Sequence, residues 1–101
     1  MIFMGTGWIP FSKREEWQKI YNRVTPKALP PGIKKWQSFG CSDGECGLKN
    51  YNLIFTEKEK VDEACIEISK LMMSYYEIEG FGWKLEPLMS MSDALTLWGK
   101  K

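Results

Sequence analysis

The chain has 101 residues, with 14 Lys and Arg against 13 Asp and Glu, a formal net charge of +1, and no histidine. That length carries one domain, expected to span residues 1–101, and an apolar fraction of 44% belongs to a folded globular chain and not to a disordered one. The near-neutral balance removes the electrostatic case for nucleic acid. The missing histidine excludes a Ser-His-Asp triad, a Cys-His dyad, a His-ligated zinc or haem and a histidine pH switch.

In chain order, residues 2–9 read as a strand apolar on both parities, with Ile2, Met4 and Trp8 on one and Phe3 and Ile9 on the other. The N-terminal segment has no basic n-region, so it reads as this strand and not as a signal peptide, and the expected location is cytoplasmic. Pro10-Phe11 ends the strand. A helix follows with Trp17, Ile20, Tyr21 and Val24 as one stripe, and Pro26 stops it. Leu29-Pro30-Pro31-Gly32 is a stiff connection to strand two, Ile33 to Gly40, whose Lys34 and Lys35 suit an edge. Ser42-Asp43-Gly44-Glu45 reads as a turn. Strand three runs from Lys49 to Phe55.

Helix two carries the stripe Val61, Ala64, Cys65, Ile68, Leu71 and Met72. Strand four, Phe81 to Leu88, has Pro87 at an edge or at its end. A short tail helix starts near Ser92, with Ala94, Leu95, Leu97 and Trp98 following. Both main helices are predicted to open with a reciprocal cap, Ser12 with Glu15 and Thr56 with Glu59. No run approaches the roughly 20 apolar residues that span a bilayer. Gly5-Thr6-Gly7 lies inside a strand and is no phosphate loop.

The order β-α-β-β-α-β predicts an α+β, ferredoxin-like split βαβ domain. Strands one and three would be central, two and four at the edges, and both helices would cover one face of a four-stranded antiparallel sheet. The other face would then show apolar and aromatic side chains to water, which a monomer rarely tolerates. A homodimer packed through that face, a dimeric α+β barrel, resolves the problem.

Three groups of residues are candidates for chemistry. Cys41 and Cys46 flank the turn at a separation compatible with a disulfide, whose short loop would contribute roughly 2 kcal/mol. The alternative is two reduced thiols, the normal cytosolic state. C-x4-C alone supplies two of the four ligands zinc wants, so no metal is expected. Cys65 sits on an apolar stripe and reads as a core thiol. The ligand-binding candidates are Trp8, Trp36, Asn50, Tyr51, Asn52 and Trp83: aromatics from four strands that could line a cleft, with two amides on a central strand that need partners if buried. Filling of core and interface is the plainer account of the same aromatics.

Gly7-Trp8-Ile9-Pro10, Leu29-Pro30-Pro31-Gly32-Ile33-Lys34 and Leu85-Glu86-Pro87-Leu88-Met89, followed by Asp93-Ala94-Leu95, together resemble a family of small bacterial and archaeal domains in the dimeric α+β-barrel superfamily. Their order and spacing carry the resemblance, and the cysteine-bearing hairpin departs from it. The superfamily includes cofactor-free monooxygenases, haem-degrading enzymes, dehydratase-like enzymes and simple binders, so membership does not choose a function. The missing histidine argues against the haem-using branches. The expectation is a small homodimeric domain that binds an apolar or aromatic molecule, without cofactor, nucleic acid or membrane. The alternative is a cofactor-free monooxygenase- or isomerase-like enzyme in which Asn52, Tyr51 and Trp36 orient the substrate.

Overall fold

The computed structural model describes residues 1–42, 44 and 47–99. Strand β1 (Ile2–Pro10) leads through a 3-10 turn (Phe11–Lys13) into helix α1 (Arg14–Val24). Strands β2 (Ile33–Ser42) and β3 (Gly47–Thr56), helix α2 (Val61–Met73), strand β4 (Gly82–Leu88) and helix α3 (Met91–Gly99) follow. The class is α+β. The four strands form one antiparallel sheet in the order β2-β3-β1-β4, which puts β1 and β3 at the centre and β2 and β4 at the edges, as the hydrophobic pattern predicts. No helix among the described residues is long and apolar enough to cross a membrane.

The predicted helix caps are not formed. Ser12 lies inside the 3-10 turn, and α1 starts two residues later on Lys13 without a side-chain cap. Thr56 is the last residue of β3, and its hydroxyl donates to the Met1 carbonyl at 3.1 Å. Residues 57–60 then make a turn, closed by Lys60 N–H to Glu57 O, and α2 begins at Val61. The strand runs one residue further than its apolar pattern, so the hydroxyl is taken by the sheet before it can serve the helix. Gly32, at φ +84°, turns the chain into β2 where a side chain would meet the Lys60 carbonyl.

Directly opposed residues share a face, so the register sorts the sheet's side chains. Phe3, Gly5, Gly7 and Ile9 of β1 stand beside Ile54, Asn52, Asn50 and Leu48 of β3, with Trp36, Ser38, Gly40 and Ser42 beyond them on β2. This is the face on which α1 and α2 pack. One core cluster gathers Phe3, Ile33, Ile54, Ala64 and Ile68, with Trp36, Cys65, Met72 and Leu85 against it. A second gathers Ile20, Tyr75 and Ile78, with Trp17, Val24 and Phe81 against it. Ile54, Ile68 and Ile78 are 0–2% exposed, and each buried side chain of this size contributes about 1.5–3 kcal/mol.

The opposite face carries Ile2, Met4, Thr6 and Trp8 beside Phe55, Leu53, Tyr51 and Lys49, and these are half-buried apart from the buried Thr6. Lysine stems lie across its aromatics. The Lys49 ammonium is 5.5 Å from the Trp8 ring and 5.1 Å from that of Tyr51, and Lys35 is 5.6 Å from Phe55. On α3 the stripe Met91, Ala94, Leu95 and Trp98 is buried only at Ala94.

Candidate functional site

The helix-side face of the sheet has small residues at its middle, with Leu85 and Ile54 over Gly5 and Asn50 over Gly7. Phe3 and Ile9 are large, but between them β1 offers only Gly5 and Gly7, and β2 opposite offers Ser38 and Gly40. The two core clusters close over the ends of this strip and do not meet across it. A cavity of about 320 Å³ is left between them. Its floor is polar: Ser38, Asn50 and Asn52, beside the Trp36 ring. Its walls are Trp17, Tyr21 and Val24 of α1, Leu71 and Met72 of α2, and Tyr75 and Phe81 from the segment that follows α2. The connection from Thr25 to Pro30 forms the rim.

The aromatic wall is a continuous stack. Ring centroids are 4.9 Å apart for Tyr21 and Trp17, 6.0 Å for Trp17 and Tyr75, and 5.3 Å for Tyr75 and Phe81, with interplanar angles of 22–24°. Trp17 and Tyr21 are one helical turn apart on the α1 stripe, so the periodicity that buries α1 also builds half of the wall. Tyr75 is 5% exposed. Burial, with a smaller contribution from Tyr21, pushes its phenol up to about 12, so the hydroxyl stays protonated at any physiological pH.

The two amides of the floor differ. Asn52 is buried and fully engaged. Its Oδ1 accepts from Trp36 Nε1 at 2.9 Å and from Ser38 Oγ at 2.8 Å, and its Nδ2 donates to the Gly5 carbonyl at 3.4 Å. It fixes the Trp36 ring and ties β1, β2 and β3 together. Asn50 lines the cavity two residues earlier on the same face, and its amide makes no hydrogen bond to any described residue. Its place depends on Gly7, the opposed residue, because a Cβ there would fall on Asn50 Oδ1.

Of the six residues singled out from sequence, Trp36, Asn50 and Asn52 come together at this cavity. Trp8 and Tyr51 do not. The register pairs Trp8 with Lys49 and Gly82 and pairs Tyr51 with Thr6, which puts both on the open face. Trp83 is opposed to Gly7 on the helix side, but it turns outward and donates from Nε1 to the Tyr76 hydroxyl at 3.2 Å. Cys41 is exposed on β2, and its pairing with Cys46 lies outside the described residues. Cys65 packs against the first core cluster, and burial together with nearby Asp62 raises its thiol above the ordinary value.

The residues that sequence reasoning missed are Gly5, Gly7, Trp17, Tyr21, Tyr75 and Phe81. The signal for the first pair is two glycines at period two inside an otherwise apolar strand. Among the described residues lining the cavity there is no carboxylate and no thiol, and the titratable groups are Tyr21, Tyr75 and Lys27 at the rim. Elsewhere among the described residues, no group of three or more Cys, Asp or Glu side chains could hold a metal ion. The described lining offers aromatic contact and amide hydrogen-bonding groups. No protein-family model matches the chain, and no curated protein is significantly similar to it.

Proposed function

We propose that this protein binds a small, planar, apolar or aromatic molecule in the cavity between its sheet and helices. The observation that carries the reading is a cavity of about 320 Å³ floored by Ser38, Asn50 and Asn52 and walled by Trp17, Tyr21, Tyr75 and Phe81. A volume of about 320 Å³ lies at the lower end for small-molecule sites, and an apolar wall with a few convergent polar groups is their usual make-up. The reading is tested by titrating the protein with 1,4-naphthoquinone and following tryptophan emission, since Trp17 and Trp36 both line the cavity. Saturable quenching that Ser38→Phe removes by plugging the floor is the expected result. Quenching that is linear in quinone, or unchanged in the plugged variant, overturns it.

A cofactor-free oxygenase or isomerase is the second reading, favoured by the uncommitted Asn50 amide in the floor of the cavity whose wall carries the neutral Tyr75 phenol. It requires turnover of the bound compound, which simple retention does not.

The order β4-β1-β3-β2, with one helical crossover between β1 and β2 and another between β3 and β4, supports assignment to the ferredoxin-like split βαβ class. The half-buried open face and the uncovered stripe of α3 support a homodimer through that face. Sedimentation at micromolar concentration should give a dimer that Leu53→Glu splits, and a monomeric wild type would exclude this assembly.

A further inference from the structure

The geometry points to a ligand class for this cavity: a planar heterocycle of two or three fused rings that presents a ring N–H beside a C=O on one edge, held by two hydrogen bonds to the Asn50 amide. The inference rests on the cavity being a ligand site.

The argument starts from which polar groups are already engaged. Asn52 Oδ1 accepts from both the Trp36 indole and the Ser38 hydroxyl, so those three groups hold one another and orient the floor. Asn50 is the amide left over, with a carbonyl and an NH2 side by side and no bond to any described residue. A side-chain amide is self-complementary to a lactam or imide edge. Its NH2 donates to the ring carbonyl, and its Oδ1 accepts from the ring N–H. A quinone offers only acceptors to this group and leaves Oδ1 without a donor, a mismatch that a desolvated site penalises.

The other dimensions of the ligand follow from the walls. Trp17, Tyr75 and Phe81 give the cavity an aromatic wall, along whose ring edges a flat ring system can pack. The volume leaves room for the rings and not for a long tail. Among the described lining residues Lys27 at the rim is the one cationic side chain, so a phosphorylated form of the heterocycle finds no anion site among them. Gly7 belongs to this device as a positioning residue, because its missing side chain is what lets the Asn50 amide stand over β1.

The test uses three flat tricyclic probes: lumichrome, which carries imide edges; its 1,3-dimethyl derivative, which has no ring N–H; and anthraquinone. Each is titrated by fluorescence against the wild type, Asn50→Leu and Gly7→Ala. Wild type should bind lumichrome roughly two- to tenfold more tightly than the dimethyl compound, the worth of the one neutral hydrogen bond that the ring N–H makes. Both variants should lose that preference. Asn50→Leu does so by removing the amide, and Gly7→Ala by displacing it while leaving Asn50 in place. Equal affinity for lumichrome and its dimethyl derivative, or a preference that survives Asn50→Leu, overturns the ligand class. Anthraquinone binding in that case leaves the cavity standing as a site for flat molecules. If no probe binds, both the class and the site reading fail.

Discussion

Two asparagines two residues apart, on the same strand and the same face, should respond very differently to truncation. Asn52→Ala removes the acceptor shared by Trp36 Nε1, at 2.9 Å, and Ser38 Oγ, at 2.8 Å, and the long 3.4 Å bond to Gly5 O. Ser38 is exposed, so its hydroxyl can turn to water and costs little more than the bond itself. The Trp36 indole is half-buried at the cavity, and its N–H is left with poor alternatives. Two good neutral bonds and one partly stranded donor amount to roughly 2–3 kcal/mol. In a domain of this size that lowers the melting temperature by about 10–20 °C. Asn50→Ala removes a side chain with no bond to any described residue, and should cost less than about 1 kcal/mol. Thermal and urea denaturation followed by circular dichroism measure both. Equal losses, or a larger one for Asn50→Ala, would refute the division of the two amides into one that holds the floor and one that faces the cavity.

Two further predictions concern titration and packing. Tyr75 ionises near 12 in the folded chain against about 10 unfolded, so the stability it confers is complete below pH 10 and is lost as pH rises towards 12. Tyr75→Phe should therefore melt like wild type at pH 7 and lose less stability than wild type between pH 10 and 12; parallel alkaline curves would sink this assignment. Cys65→Ser puts a hydroxyl against the first core cluster and should cost about 1 kcal/mol. Cys41→Ser, at an exposed position of β2, should stay within about 0.5 kcal/mol in reducing buffer. A larger melting shift for Cys41→Ser than for Cys65→Ser would contradict the placement.

The fold was legible because its local signals agree with one another. The stripe Trp17, Ile20, Tyr21, Val24 and Pro26 after it mark α1, and Lys34 and Lys35 mark β2 as an edge. The caps were not legible, because a capping box and a strand that ends on Thr look alike until one knows where the strand stops. The site was half legible. Asn50 and Asn52 could be put on one face of a central strand by parity alone. Trp8 and Tyr51 could not be separated from Trp36, because parity is defined only within a strand. The register between strands decides which parities coincide, and here it depends on a bulge between Ile33 and Lys35. Tyr75 belongs to no regular element, so no period pointed to it, and Phe81, which the alternation placed at the start of strand four, precedes β4, which begins at Gly82.

The arrangement at the sheet's centre separates groups that serve the fold from groups that do not. Gly7 leaves room for the Asn50 side chain over β1, where a Cβ would meet it. Asn52 is there to hold Trp36 and Ser38, and its own hydrogen bonds account for it. Gly7 and Asn50 are different. A glycine in mid-strand weakens the strand, and an amide over it contributes no bond to any described residue, so neither is explained by stability. If the cavity is a ligand site, its described lining, with the neutral Tyr75 and Asn50 and its one cationic side chain, Lys27, at the rim, favours a neutral guest over a carboxylate or phosphate, which would lose its hydration on entry.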